Sequence, residues 1–210
     1  MEKIDPKFEQ LLVNSLSVFM KYGIKSVTMD DLARHLCISK KTIYKYVKDK
    51  NDLVLHGMAH HQNLEQCAMQ ACLDNNLNAI DENFKISKII VDQIQNIHPA
   101  VMYDLQKYHP EAIGKFNEYK MTVVNEWVSD NMRRGIEEEL YRADLNIPIL
   151  TAIYLARMTD LFNPDLFPAE ATMKEIYLEQ FRYHIRGIAS EKGVNYLKQK
   201  IKKEQKTQTK

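Results

Sequence analysis

Residues 37–53 read CISKKTIYKYVKDKNDL. Five lysines, two tyrosines and two aspartates share this stretch, and both aspartates fall within its last five residues. The whole chain carries 29 Lys+Arg against 28 Asp+Glu, a formal net charge of +1. A chain so nearly neutral cannot hold a polyanion by bulk charge, so any such binding must come from a local patch. Ser39 is placed to cap a short helix over about 40–46. Asp49, with Asp52 at its N3 position, is placed to cap a further helix that runs to about residue 73. Lys40 and Lys41 then sit in the first turn of their helix, the wrong end for a positive charge, at a cost of about 0.3–1 kcal/mol each. A partner bearing phosphates would reverse that sign. Lys48 and Lys50 flank the start of the next helix, whose free N–H groups also suit a phosphate.

Working outward, Thr28-Met29-Asp30-Asp31 has the form of a capping box opening a helix over 29–36. Two short helices joined by about three residues have helix-turn-helix spacing. Leu32, Ala33, Leu36, Ile38 and Ile43 would pack the pair inward. Before it, Phe8, Leu11, Leu12, Ser15, Val18, Phe19 and Tyr22 recur at helical spacing, and Gly23 follows as a stop, giving a helix over 6–22. A lysine run is most often a solvated helix face, and Tyr44 and Tyr46 could simply be packing residues. The caps, the short turn and the basic and hydroxyl side chains of the second helix together favour a nucleic-acid reader.

The rest of the composition narrows the class. The hydrophobic fraction is 45%, enough for a buried core, and the six glycines and six prolines are few enough to favour long helices. Cys37, Cys67 and Cys72 are odd in number and lack CxxC spacing, which fits neither a disulfide framework nor a zinc-finger layout and suits a reducing, cytoplasmic compartment. No signal-peptide core and no run of 18 apolar residues is present, so no membrane association is expected. His56, His60 and His61 have metal-capable spacing without an evident third ligand, so no metal is expected. None of the seven histidines has an acid three residues before it, which removes a di-iron bundle, and no HExxH, GxSxG, GxGxxG or P-loop pattern occurs. No cofactor and no enzymatic activity is expected.

The stretch SLSVFMKYGIKSVTMDDLARHLCISKKTIYKYVKDKNDLVLHGM, residues 15–58, resembles the DNA-binding segment of the TetR (tetracycline-repressor-like) family of bacterial transcription regulators. The matching features are an aromatic before Tyr22-Gly23, then Thr28, Asp31-Leu32-Ala33, Ile38-Ser39-Lys40, Thr42-Ile43-Tyr44, and Lys50 leading into an apolar helix. The chain departs from the family pattern at Cys37, where glycine is usual, and at Val47, where phenylalanine is frequent. A non-glycine at 37 would hold a left-handed conformation at about 1 kcal/mol. A small, inert packing residue is the simpler reading of Cys37 than a thiol sensor.

The resemblance implies an all-α protein: an N-terminal helix-turn-helix three-helix DNA-binding domain plus a C-terminal helical ligand-binding and dimerisation domain. The implied division is a DNA-binding domain at 1–49, a connecting helix at 50–75, a ligand and dimer domain at 76–190, and a polar tail at 191–210 whose end, KQKIKKEQKTQTK, is read as disordered. It further implies that Lys41, Thr42 and Lys45 read base edges, Lys being able to reach guanine O6 and N7. Thr28, Tyr44, Tyr46 and Lys50 would position the phosphate backbone, and Lys40 is a further candidate for contact with DNA.

Later helices are read over about 79–97, 99–108, 111–138, 148–162 and 169–189. NMRRGIEEELYRADLN, residues 131–146, is similar to the junction preceding the family's last two helices. Met173, Ile176, Tyr177, Phe181, His184, Ile185 and Ile188 then form a stripe compatible with a homodimer interface; from pattern alone an intramolecular core stripe is equally good. Met102, Tyr103, Phe116, Tyr119, Met121, Trp127, Tyr154, Met158 and Phe162 are candidate lining for an effector pocket, although such residues are more often plain core. The expected protein is a ligand-responsive regulator, a repressor that binds a pseudo-palindromic double-stranded DNA operator as a homodimer and is released by a small molecule. The alternative is an all-α ligand-binding or interaction module whose basic helix contacts an acidic protein partner.

Overall fold

A computed structural model of the chain describes residues 4–73, 76–95 and 97–208. Among the described residues the helices are α1 (Pro6–Tyr22), α2 (Met29–His35), α3 (Lys40–Ile43), α4 (Lys50–Leu73), α5 (Ala79–Ile94), α6 (Ala100–Tyr108), α7 (Pro110–Tyr119), α8 (Asn125–Glu137), α9 (Ile147–Asp160), α10 (Met173–Ile188) and α11 (Glu191–Gln208). No strand occurs among them, and a single isolated bridge joins Tyr141 and Ala189. The fold class is the all-α one expected. The helix read over 111–138 is interrupted by a π-helical turn, Lys120–Val124. The helix read over 40–46 keeps α geometry only to Ile43 and finishes in tighter turns through Val47.

The described residues group into two compact units, one within Met1–Ala68 and Asn96–Tyr119, the other within Met69–Gln95 and Lys120–Lys210. In the first unit α1 opens on Asp5, whose carboxylate accepts from Lys7 N at 2.8 Å, with Pro6 following where its missing N–H costs nothing. It buries Leu11, Leu12, Ser15, Leu16 and Phe19, and ends at Gly23, whose φ of 86° suits glycine. Ile24, Val27, Leu32, Ala33, Ile43, Val47, Leu53 and Val54 complete this core. Val47 is thus a core residue, a valine filling the place where the family often has phenylalanine. Residues 97–119 belong here because His98 N donates to Met20 O at 2.6 Å, Lys25 N donates to Asp104, and Val101, Met102, Leu105 and Ala112 are buried.

The second unit packs α5, α8, α9, α10 and α11 around Ala79, Ile80, Met132, Leu140, Tyr141, Ile185, Ile188, Ala189 and Leu197. Its buried polar groups answer one another. Glu82 accepts from Arg134 and, at 2.7 Å, from Asn131, whose amide also donates to Ala79 O at 3.0 Å. Asn131 in turn accepts from Tyr141 Oη at 3.0 Å and from Asn83 at 2.6 Å. A fully paired network of this kind avoids the penalty of a buried orphan.

Two expectations are corrected here. Residues 191–208, read as a disordered polar tail, form α11. Leu197 is buried, Val194 and Tyr196 pack on the core, Tyr196 Oη donates to Asp81 at 2.6 Å, and Lys200 pairs with Asp81 at 2.8 Å. The apolar residues are sparse but fall on one helical face, which the surrounding lysines and glutamines obscure. The α10 stripe offered as a dimer surface is instead turned onto its own chain. Ile185 and Ile188 are core residues, Phe181 meets Phe84 edge-on at 5.2 Å, His184 meets Tyr154 at 5.0 Å, and Met173, Ile176 and Tyr177 are half-buried as α10 packs on α5.

Two outcomes follow for stability. A Cβ at Gly135 would stand 1.9 Å from the Tyr141 ring. Gly135→Ala should therefore lose about 3 kcal/mol or more, seen in urea unfolding. Burial, with the charge of Arg157 adding to it, pushes the His184 imidazole down to about 4. Between its ordinary value near 6.5 and about 4, the unfolded chain binds a proton that the folded chain refuses, so stability falls as pH falls. By pH 4 the loss reaches about 3 kcal/mol, and His184→Gln should lack that component in unfolding curves taken from pH 7 to pH 4.

Candidate nucleic-acid interface

α2 begins at a complete capping box. Thr28 Oγ1 accepts from Asp31 N at 3.1 Å, and Asp31 Oδ2 accepts from Thr28 N at 3.0 Å. The Thr28 hydroxyl also donates to Asp31 at 2.6 Å, so its one donor is spent on the cap. The bonds from Thr28, and then the nearby charge of Arg34, hold the Asp31 carboxyl below its usual range.

The turn between α2 and α3 is made by Cys37, at φ 53°. Ile38 N donates to Ala33 O at 3.1 Å and Cys37 N to Arg34 O at 3.3 Å, the paired bonds of a left-handed helix end. This is the conformation expected from a cysteine standing where glycine is usual. The reading of Cys37 as a packing residue is corrected, because its thiol is exposed and reaches only Arg34 O at 3.8 Å. Ser39 then caps α3, its Oγ accepting from Thr42 N at 3.0 Å and lying 2.8 Å from Thr42 Oγ1. Ile43, wholly buried, fastens α3 to α2.

With Ile43 inward, Lys41, Tyr44, Lys45 and Lys48 are exposed. Among the described residues Lys41 and Lys45 enter no ion pair, whereas Lys40 is held 3.1 Å from Asp30. Thr42 is half-buried with its hydroxyl engaged by Ser39. Lys41, Tyr44 and Lys45 therefore form the open, uncompensated part of the surface, able to attract phosphate and to reach a groove.

Two expected phosphate contacts are turned elsewhere. Tyr46 stacks on Phe8 of α1, ring centroids 5.3 Å apart and nearly parallel, and its hydroxyl donates to Asp5 at 3.3 Å. Lys50 points inward: its Nζ donates to Val27 O at 2.6 Å and Lys25 O at 3.4 Å, and lies 5.7 Å from the Phe19 ring centre. Burial lowers the ammonium's pKa, against the opposing charges of Asp104 and Asp31. The residues that sequence reasoning missed are Asp104 and Tyr108, which hold the chain before α2 from 79 and 83 residues away; nothing local in the sequence signals such contacts.

The proposed effector lining divides between the units. Met102, Tyr103, Phe116 and Tyr119 lie in the first, Met121, Trp127, Tyr154, Met158 and Phe162 in the second. Met102 is buried and most of the others half-buried, but Tyr103 is 56% and Met121 58% exposed. His56 lies 3.3 Å from Asp52 and His60 3.7 Å from Glu9, and no group of three potential metal ligands occurs among the described residues. No helix among them is long and apolar enough to cross a membrane.

Residues 11–56, which include this interface, match the family model described as bacterial regulatory proteins, tetR family. The fold is similar to several solved structures. E. coli NemR in its reduced form is 12% identical at a TM-score of 0.70, covering 89% of this chain and 98% of that one. A transcriptional regulator from Cytophaga hutchinsonii is 18% identical at a TM-score of 0.69, covering 89% of this chain and 100% of that one. FadR from Bacillus subtilis, solved with stearoyl-CoA, is 14% identical at a TM-score of 0.65, covering 86% and 99%. At such identities the likeness concerns the fold alone. No curated protein matches the sequence.

The left-handed residue at the turn gives a direct test. Cys37→Gly relieves the Cβ strain while leaving the exposed surface otherwise intact, and should stabilise the protein by about 0.5–1 kcal/mol. For a chain of this size that is a rise of about 1–4 °C in Tm.

Proposed function

We propose that this chain, which belongs to the tetR family of bacterial regulatory proteins, is a ligand-responsive transcriptional repressor that binds a pseudo-palindromic operator as a homodimer. The observation that carries the reading is the open set Lys41, Tyr44 and Lys45, presented by a helix that is capped at Ser39 and anchored at Ile43. Lys41 and Lys45 reach base edges, and Tyr44 and Lys40 lie toward the phosphates, while the hydroxyls of Thr28 and Thr42 stay engaged at the caps of α2 and α3. Lys40 then exchanges Asp30 for a phosphate on binding.

The homodimer surface is the outer side of α9 and α10. Ile149 is 57%, Ile153 44% and Tyr183 69% exposed, and Ala152, Ala156 and Gly187 beside them are small enough for helices to approach closely. A second copy would bury this side against itself, and a two-fold dimer reads two related half-sites. The effector is a small molecule. FadR was solved with stearoyl-CoA and a Saccharomonospora viridis regulator with choline, so the fold admits unlike ligands, and their identity does not transfer. In the second unit Trp127, Tyr154, Met158 and Phe162 are the lining proposed for it. The effector favours a dimer that fits the operator poorly and weakens DNA binding by the same coupling energy that DNA exerts on the effector. The protein works in the cytoplasm, without a cofactor and without catalysis.

The test is fluorescence anisotropy on duplex DNA from immediately upstream of the gene, at several salt concentrations. Wild type should bind tightly and salt-dependently. Lys41→Ala and Lys45→Ala should each weaken binding by about 1–3 kcal/mol and relax sequence discrimination. Unchanged binding by both variants, together with no sequence enriched from a random duplex pool, would return the basic surface to the alternative reading, a contact for an acidic protein.

A further inference from the structure

The segment joining α1 to α2, residues 23–28, ends at Thr28, the residue that caps α2. Its apolar side chains Ile24 and Val27 are buried, and its backbone is gripped from two directions. From the start of α4, Lys50 Nζ donates to Val27 O at 2.6 Å and to Lys25 O at 3.4 Å. From α6, Asp104 Oδ2 accepts from Lys25 N at 2.8 Å, and Asp104 itself is 4% exposed. Tyr108, one turn further along α6, accepts from Lys25 Nζ at 2.8 Å. The last turn of α1 is tied as well, by His98 N to Met20 O.

The direction of these bonds is informative. A lysine serving as a phosphate contact keeps its ammonium in solvent. The Lys50 ammonium instead satisfies two carbonyls of a connection that has no secondary structure to satisfy them. Asp104 spends a buried carboxylate on one backbone N–H, although no helix end or metal requires it there. A short helix follows immediately, and α3 is packed on that helix through Ile43. Any tilt of residues 23–28 therefore moves both helices of the motif.

We propose that Lys50 and Asp104 are positioning residues for DNA reading. They clamp the α1–α2 connection from its carbonyl side and its amide side, and so fix the presentation of α3, without touching DNA. This rests on the reading that the chain binds duplex DNA through α3. It departs from the role that the family resemblance implies for Lys50.

The experiment uses the full chain and a duplex enriched from a random pool by the wild type, beside a mixed-sequence duplex. Dissociation constants are taken across a salt series for Lys50→Met, Asp104→Ala, Asp104→Asn and, as the phosphate-contact reference, Lys40→Ala. Circular dichroism verifies folding. Lys50→Met and Asp104→Ala should weaken the enriched duplex about tenfold or more with an unchanged salt slope, while Lys40→Ala lowers the slope by about 0.9. Asp104→Asn keeps an acceptor opposite Lys25 N and should stay within about threefold of wild type. Binding to the mixed-sequence duplex should hardly change, because the exposed lysines remain; a merely destabilised protein would lose both duplexes together. A slope reduced by about one unit in Lys50→Met would make Lys50 a phosphate contact and overturn the proposal. So would affinity within about twofold of wild type in both Lys50→Met and Asp104→Ala. If Asp104→Ala does not fold, Lys50→Met decides alone, since its stem preserves the packing. A wild type that enriches no duplex overturns the DNA reading itself, an outcome separate from either result above.

Discussion

A helix of four residues cannot hold itself together. Nucleating one turn costs more backbone entropy than its few hydrogen bonds return, so α3 exists only because its surroundings define both ends and one side. Ser39 caps the front, tight turns through Val47 close the back, and the buried Ile43 supplies the anchor. What remains outward is decided by subtraction. Once Ile43 is inside and Thr42 is occupied with Ser39, Lys41, Tyr44 and Lys45 have nowhere to go but solvent, or a partner. The chemistry of the surface is thus a product of the packing beneath it.

The second unit solves a different problem with different material. Its core is closed by an aromatic ring laid directly on helix backbone. Tyr141 occupies the space above Gly135, and the carbonyl of Leu140 occupies the space above Gly193. Glycine is needed at both places because even a methyl group would collide. The Tyr141 hydroxyl is then drawn into the Asn131, Asn83 and Glu82 network. The result ties α5, α8 and the start of α11 to two adjacent residues, Leu140 and Tyr141.

How much of this could be read from the sequence depended on the range of the contact. The Thr28 and Asp31 box, the Ser39 cap and the Asp49 start of α4 were legible because each is decided within about four residues, and the left-handed Cys37 because the resembling family has glycine there. Lys50 was read as a phosphate contact because its type and place suit one, and only the fold reveals two carbonyls within its reach. Asp104 carried no signal, its partner being 79 residues away. Apolar periodicity located the α10 stripe correctly but could not say whose core it enters; Phe181, Ile185 and Ile188 went to their own chain. In α11 the reverse happened. Three or four useful apolar residues were outvoted by lysine and glutamine, although Val194 and Leu197 lie one turn apart.

The position of α11 also bears on the order in which the protein can be finished during synthesis. Everything the DNA-reading unit uses lies before residue 120. The second unit needs Leu197 in its core and Lys192 and Lys200 on Glu139 and Asp81. At about 5–20 residues per second, roughly 90 further residues take about 5–20 seconds. For that interval a complete basic surface is carried on a nascent chain whose second core still lacks its last wall. A chain truncated within α11 would keep its reading helix intact and leave the core around Leu140 and Tyr141 without Leu197, a species fit for a protease before it is fit for a promoter.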